Sequence, residues 1–280
     1  MESGEFCTFA APFVNAGINL LGGCCGTSPE FIEKTAKEIS KLKNTGFKNN
    51  PVSFSAVTSA RKTVFIGSDY PLTVIGERIN PTGKKQLQTE LKEGKTAEIR
   101  RFAEEQASAG AKILDVNAGM AGIDEKAVMV KITDLLSNLS ELPLCIDSSS
   151  PEVVEAALRA YPGRALINSI SGESKKTERL LPLAAKYGAM FILLPLDDKG
   201  IPAGADDRLE VVQKVFKQAK KYGYTEKDII VGYTMGLALM TNVPFAIMKI
   251  SNGAFGHSSI ATPRGSNAFA VNSHKTKDGN

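Results

Sequence analysis

Apolar runs alternate with amphipathic stretches along the chain between Leu72 and Gly232. Each apolar run is rich in Val, Ile and Leu and ends in polar residues, as a buried strand does. The stretches between them space apolar residues three and four positions apart, which is typical of one face of a helix. Six strands and five helices are predicted, with the strands at TVIGERIN, KILDVNAG, LPLCIDSS, ALINSIS, MFILLPLDD and DIIVG.

This alternation predicts parallel βαβ units in an α/β fold. No glycine-rich dinucleotide fingerprint accompanies the strands, so the pattern favours a (β/α)8 TIM-barrel type over a Rossmann sheet. Residues 233–280 show no further strand–helix alternation, although a complete barrel needs two more units. We therefore expect a barrel that is incomplete at the C-terminus and leaves its sixth strand with an unpaired edge.

The remaining chain divides by pattern into three further parts. Residues 1–43 contain a predicted short buried strand over 17–23 and a helix that Ser28 caps and Pro29 opens. Residues 44–70 are rich in Asn, Ser, Thr and Gly, which indicates a linker with one short strand. The barrel is assigned to residues 71–232 and an atypical tail to 233–280.

Composition narrows the class of protein. The chain has 280 residues, of which 42% are hydrophobic and 23% charged, and this excludes a disordered chain or a fibre. A net charge of +4 is too small to indicate nucleic-acid binding. The uncharged stretch 229–248 contains Gly, Asn and Pro, so we interpret it as a buried strand and irregular chain instead of a membrane span. Four cysteines do not form a disulfide scaffold, and we expect a cytoplasmic protein.

Acids and amides follow five consecutive predicted strands. In a parallel barrel the carboxyl ends of the strands meet at one rim, where ligands bind. A carboxylate there can accept two parallel hydrogen bonds from an amino-pyrimidine edge, so this set suits a flat, nitrogen-rich heterocycle. Both histidines lie after residue 232, which argues against histidine-based catalysis in the barrel. The residues concerned are Glu77, Asn80, Asp115, Asn117, Asp147, Asn168, Ser171, Asp197 and Asp198.

Two groups of motifs resemble one enzyme family. GERINPTGKK, DVNAG, CIDSS and INSISGE are similar to the pterin-binding domain of cobalamin-dependent methionine synthase. GGCCGTSPEFI resembles the last strand–helix unit of its homocysteine-binding, zinc-containing barrel, which precedes the pterin domain. The resemblance implies that residues 1–43 are a remnant of that barrel and 71–232 a partial pterin-binding barrel.

The resemblance also implies an activity. The family transfers a methyl group from methyltetrahydrofolate through cobalamin to homocysteine, and this chain would carry mainly the folate-binding part. Cobalamin would be held by a domain absent from this chain or by a partner protein. The implied pterin-binding residues are Glu77, Asn80, Asp115, Asn117, Asp147 and Asn168.

Metal and catalytic positions are implied in the same way. Cys24 and Cys25 match the paired zinc cysteines of the family, whose third ligand comes from sequence that this chain does not contain, so we expect poor zinc binding. Asn242 and Asn252 echo a Ser-Asn motif whose Asn faces the folate N5, but both precede its usual place. They are candidates for a catalytic residue, which the resemblance otherwise leaves unidentified.

Two alternatives stay open. Dihydropteroate synthase shares the pterin-binding barrel, but DVNAGMAG lacks the serine- and threonine-bearing loop expected there, and GGCCGT would be unexplained. A pterin-binding module or inactive fragment without turnover would agree with the missing barrel units. Separate measurements of folate binding and methyl transfer would distinguish these functions.

Overall fold

The computed structural model describes residues 1–18, 20–42, 54–67 and 69–232, together with the backbone of four strands within 247–273. The chain forms two compact units, Met1–Pro51 and Val52–Asn280. Within the described residues, every helix is too short or too polar to cross a membrane.

The first unit is helical. Its elements are α1 (Ser3–Thr8), α2 (Ala10–Asn15) and α3 (Pro29–Lys41). The predicted helix is confirmed and begins at Pro29. The Ser3 hydroxyl, near the start of α1, donates a hydrogen bond of 2.8 Å to Glu30 on α3.

The strand predicted over residues 17–23 is wrong. The described residues of this segment have no strand partner, and the Leu20 side chain is 91% exposed. An isolated strand cannot satisfy its backbone N–H and C=O groups within a small helical unit, so an apolar run alone did not specify one here.

A β-hairpin opens the second unit. Strands β1 (Ser55–Thr58) and β2 (Thr63–Ile66) pair antiparallel. The prediction of a linker with one strand is therefore wrong for this part of residues 44–70. Val57, Val64 and Ile66 of the hairpin are buried, and this burial anchors the hairpin to the sheet that follows.

Six parallel strands form the centre of the second unit, which confirms the incomplete barrel. They are β3 (Thr73–Ile79), β4 (Ile113–Asn117), β5 (Leu144–Asp147), β6 (Leu166–Ser171), β7 (Met190–Leu194) and β8 (Ile229–Gly232). Each strand pairs in parallel with the next one along the chain.

Helices connect these strands. They are α4 (Lys85–Lys92), α5 (Ala97–Ser108), α6 (Glu125–Leu139), α7 (Pro151–Ala160), α8 (Ser174–Tyr187) and α9 (Ala205–Lys220). Helix α4 was not predicted, although Leu87 and Leu91 are buried at helical spacing. The predicted cap of α7 is confirmed, because the Ser150 hydroxyl accepts a hydrogen bond from the Val153 N–H.

Two apolar clusters cover the faces of the sheet. The larger one joins the sheet to the helices. The smaller one, called here the apolar floor, includes the buried hairpin residues together with strand residues. Its strand residues are Ile75, Ile113, Cys145, Leu166, Met190, Ile192 and Ile230.

Tail strands lie at both edges of the parallel sheet. Strand β9 (Ile247–Ser251) pairs antiparallel with β8, and β12 (Ala268–Ser273) pairs antiparallel with β3. Two short strands, β10 (Ala254–Gly256) and β11 (Ser258–Ser259), pair with these. The expectation of an unpaired sixth strand is therefore wrong. The tail supplies the missing edge partners through backbone hydrogen bonding, which any sequence can make.

Candidate functional site

Acid and amide side chains meet at the carboxyl ends of β4, β5 and β6. In the strand register Asn117 pairs with Asp147, and Asp147 pairs with Asn168. Residues in register on neighbouring parallel strands project to the same face. The three side chains consequently form one row across three strands.

Hydrogen bonds connect this row to its surroundings. The Asn117 amide nitrogen donates to Asp147 Oδ2 at 2.9 Å, while Asn117 Oδ1 accepts from the Gly119 N–H at 2.8 Å. The Asn168 amide nitrogen donates to Asp115 Oδ1 at 3.1 Å. Each carboxylate is thus held by an amide from another strand, Asp147 by the adjacent β4 and Asp115 by β6 across β5, and both amide orientations are defined.

The local electrostatics favour donor groups. Burial raises the pKa of Asp115 to about 7, assisted by the nearby charges of Asp147 and Glu77. Burial also raises the pKa of Asp147, and the charge of Glu125 adds to the effect. Clustered carboxylates in a low-dielectric site repel each other and are stabilised by N–H donors. The site can therefore accept hydrogen bonds from a donor-rich ligand.

A β-bulge places Glu77. The register of β3 against β4 shifts between Gly76 and Ile79, so β3 has one extra residue there. The side chain of Gln106 on α5 fills the bulge, and its Oε1 accepts a hydrogen bond of 2.7 Å from the Arg78 N–H. A Cβ at residue 76 would lie 2.6 Å from that same oxygen, which explains the glycine. Bulges commonly re-aim a side chain next to a functional site.

The role of Gln106 was not predicted, because an amide on a helix gives no sign that it fills a bulge in the neighbouring strand. Glu125 was not predicted either, and its Oε1 accepts a hydrogen bond of 2.6 Å from the Ser148 hydroxyl beside Asp147. The DSS tripeptide around Ser148 was a usable signal for a polar network at this strand end.

The other rim residues predicted from the sequence have local partners. Asn80 Oδ1 accepts a hydrogen bond of 2.9 Å from the Thr82 N–H and so shapes the turn after β3. Ser171 donates to Glu173 at 2.7 Å. Asp198 accepts from the Ser174 hydroxyl at 2.7 Å. These contacts stabilise the loops after the strands, and a ligand contact by Asn80 stays a prediction.

We call Glu77, Asp115, Asn117, Asp147 and Asn168 the acid–amide cluster. It contains five of the six pterin-binding residues predicted from the sequence. Asp115 is buried, whereas the other four side chains are half-buried. A half-buried carboxylate or amide is accessible to a ligand and yet partly shielded from water, which strengthens its hydrogen bonds.

The paired cysteines lie in the first unit. Both Cys24 and Cys25 are exposed, and their sulfur atoms are 3.8 Å apart. Hydrogen bonds from the backbone and thiol of Cys25 lower the pKa of the Cys24 thiol. Two thiolates of a tetrahedral zinc site are separated by about the same distance, given a Zn–S bond of roughly 2.3 Å.

The two cysteines do not form a complete zinc site with the other residues that the structure describes. Among the residues that the structure describes, no three His, Cys, Asp or Glu side chains are grouped so that they could hold a metal ion. The two cysteines therefore have the separation for two zinc ligands but do not form a full ligand set. Asn242 and Asn252, the candidates for a catalytic asparagine, lie outside the described residues.

Comparisons with known families give two matches. Residues 76–250 match the family model of pterin binding enzymes. Residues 1–39 match the family model of homocysteine S-methyltransferases.

Solved dihydropteroate synthases are among the similar structures. The enzyme from Xanthomonas albilineans, in complex with indole-2-carboxylic acid and 6-chloroguanine, is 19% identical, with a TM-score of 0.47 over 61% of this chain and 64% of that one. The Vibrio fischeri enzyme is 18% identical, with a TM-score of 0.48 over 65% of this chain and 67% of that one. The Stenotrophomonas maltophilia enzyme with bound imidazole is 22% identical, with a TM-score of 0.45 over 61% and 63%. The chain thus spans 64% of the length of the first of these structures.

Proposed function

The chain belongs to the pterin-binding enzyme family, and from this premise we propose that its acid–amide cluster binds the pterin ring of methyltetrahydrofolate. The observation that carries the proposal is the row of Asn117, Asp147 and Asn168 across three neighbouring strands. A pterin has an amino group and a ring N–H side by side. Asp147 can accept both hydrogen bonds, because a carboxylate offers two oxygens with several lone pairs.

The proposed reaction is methyl transfer. The chain would hold methyltetrahydrofolate while its N5-methyl group passes to cobalamin on another domain or protein, and from there to homocysteine. The match of residues 1–39 to homocysteine S-methyltransferases supports this reaction. A methyl group leaves a pterin nitrogen poorly unless that nitrogen is protonated or strongly hydrogen-bonded. Positioning and polarisation of the ring are thus the chain's proposed contribution.

Dihydropteroate synthesis is the second candidate, because it also uses a pterin in a barrel of this type. The methyltransferase match in the first unit favours methyl transfer over that reaction. A pterin-binding module without turnover is the third candidate. Among the described residues the tail strands next to the sheet are antiparallel, so they do not supply parallel closing units. The cytoplasm stays the predicted location.

Equilibrium binding tests the proposed function. We expect titration calorimetry to show that the chain binds 5-methyltetrahydrofolate and that Asp147→Asn weakens binding by about 1–3 kcal/mol, because an amide cannot accept two parallel N–H bonds. Asp134→Asn is the matched control, since Asp134 is an exposed acid in the second half of α6. Equal affinity of Asp147→Asn and the unmutated chain would contradict the proposal.

A rate assay separates the candidate reactions. Methyl transfer from 5-methyltetrahydrofolate to free cob(I)alamin, with release of tetrahydrofolate, would identify a methyltransferase. Binding of the ligand without this transfer would instead favour the module without turnover. Condensation of a dihydropterin diphosphate with 4-aminobenzoate would favour the synthase.

A further inference from the structure

Asp115 differs from the rest of the acid–amide cluster in its burial. Its side chain is only 3% exposed, and its register partner on β5 is Cys145 of the apolar floor. A ligand at the rim therefore meets Asp147 and Asn168 before it meets Asp115. The sequence predicts Asp115 as a pterin-binding residue, but its burial favours a role through another residue, and its contact with Asn168 indicates which one.

We propose that Asp115 is a positioning residue that turns the Asn168 amide, so that Asn168 presents its oxygen to the ligand. The proposal rests on the proposed function, because it assumes that Asn168 contacts a pterin. An ionised carboxylate only accepts hydrogen bonds. Asn168 consequently directs its nitrogen to Asp115, at 3.1 Å, and its oxygen lies at the other end of the amide.

Without this contact the amide has no fixed orientation. The terminal torsion of an asparagine is broad and close to two-fold, so nitrogen and oxygen exchange places easily. The neighbouring carboxylate of Asp147 accepts its hydrogen bond from Asn117. It therefore does not take over the role of Asp115 in orienting the Asn168 amide. A single buried carboxylate thus determines whether residue 168 offers an acceptor or a donor.

The amide orientation affects which pterins bind well. A tetrahydropterin carries an N–H at N8, whereas the same nitrogen of an oxidised pterin has no hydrogen and only accepts. The proposal places N8 of the ring against Asn168, where the Asn168 oxygen would accept a hydrogen bond from the reduced ring and would oppose a lone pair of the oxidised ring. The contact between Asp115 and Asn168 therefore selects reduced over oxidised pterins.

This selection should depend on pH. Burial raises the pKa of Asp115 to about 7, and the charges of Asp147 and Glu77 add to this effect. The Cys145 thiol also faces Asp115; burial raises the pKa of Cys145, so it stays neutral, and its hydrogen bond to Asp115 acts in the opposite direction. Above that pH the carboxylate only accepts, and the amide orientation is fixed. Below it the protonated carboxyl can donate to the Asn168 oxygen, and the amide can reverse. Selectivity should be present above pH 7 and should decline as the pH falls through 7.

The test is a ratio of affinities. Dissociation constants for 5-methyltetrahydrofolate and folic acid are measured at pH 6 and pH 8 on the full chain and its variants. Asp147 also titrates, but it faces the amino-pyrimidine edge that both ligands share, so its effect cancels in the ratio. We expect the unmutated chain to prefer the reduced ligand more strongly at pH 8 than at pH 6.

Three variants isolate Asp115. Asp115→Ala should reduce the preference for the reduced ligand about tenfold at pH 8, because the loss of one hydrogen bond changes an affinity by about that factor. Asp115→Asn does not titrate and should give the same preference at both pH values. Leu166→Val is the matched control, because it removes one methylene from the apolar floor without changing a polar group. It should keep both the preference and its pH dependence.

Two results would overturn the inference. One is an unchanged preference in Asp115→Ala. The other is a preference that varies with pH in Asp115→Asn as it does in the unmutated chain. This second result decides the question if Asp115→Ala does not fold. Absence of binding of either ligand to the unmutated chain would instead overturn the proposed function, and this inference with it.

Discussion

Asp147 combines partial burial, a raised pKa and a defined partner. One of its oxygens accepts from Asn117 at 2.9 Å, so the carboxylate cannot rotate freely. Such preorganisation strengthens ligand binding, because the group loses little freedom when the ligand arrives. Its raised pKa has burial as its main cause. A ligand with two N–H donors would favour the ionised form and return the pKa toward its ordinary value.

Zinc binding also belongs to the residue scale. We expect the chain to lose zinc during dialysis, because Cys24 and Cys25 offer two thiolates where a stable site has at least three protein ligands. Metal analysis after dialysis checks this, with Cys24→Ser as the comparison. One zinc ion per chain that survives dialysis and disappears in Cys24→Ser would contradict the prediction.

At the scale of elements, the hairpin β1–β2 is held on the second unit by specific hydrogen bonds. The Tyr161 hydroxyl donates to the Thr58 carbonyl at 2.9 Å and accepts from the Leu144 N–H at 3.0 Å. The Arg164 guanidinium donates to the Ala56 carbonyl at 3.0 Å and forms an ion pair with Asp228 at 2.6 Å. These contacts fix the hairpin beneath β5 and β8, opposite the carboxyl ends of the strands.

Tyr161→Phe tests this attachment. The change removes the hydrogen bonds of the hydroxyl to the buried Leu144 N–H and the half-buried Thr58 carbonyl. The free energy of unfolding should therefore fall by about 1–3 kcal/mol. Chemical denaturation measures the difference, and Tyr222→Phe is the control because Tyr222 is exposed. Tyr222→Phe should leave the free energy of unfolding unchanged, and an equally unchanged value in Tyr161→Phe would show that the hydroxyl bonds of Tyr161 do not stabilise the hairpin.

Strands and caps of the barrel were predictable because local chemistry determines them. Apolar runs such as residues 144–146 of β5 are buried on both faces, and the Ser150–Pro151 pair both caps and opens a helix. The hairpin was missed because its short strands lie within polar sequence. The strand over 17–23 was predicted in error because an apolar run does not reveal whether a pairing partner exists.

The acid–amide cluster was predictable in part for the same reason. Residues at the carboxyl ends of parallel strands must meet, so Asp147 and Asn168 could be placed on one rim. Which amide faces which carboxylate depends on diagonal contacts such as that between Asn168 and Asp115. The β3 bulge depends on Gln106 from another element. Neither feature follows from residue order.

At the scale of the whole molecule, the acid–amide cluster occupies one side of the rim of the parallel sheet. Polar side chains of the cluster come from β3 to β6, whereas β8 ends in the buried residues Val231 and Gly232. A pterin bound at this rim would have its donor edge on the β4–β6 side. The tail strands that pair with β3 and β8 complete the hydrogen bonding of the sheet edges. The family match extends across this sheet and into the tail, over residues 76–250.

A crystal structure of the full chain with 5-methyltetrahydrofolate tests the central claim most directly. We predict the pterin at the carboxyl ends of β4, β5 and β6. Its amino group and adjacent ring N–H should both lie within hydrogen-bonding distance of the Asp147 carboxylate, and a further ring N–H should face Asn168 Oδ1. A pterin bound elsewhere on the chain, or one that contacts the cluster only through its carbonyl edge, would contradict the account.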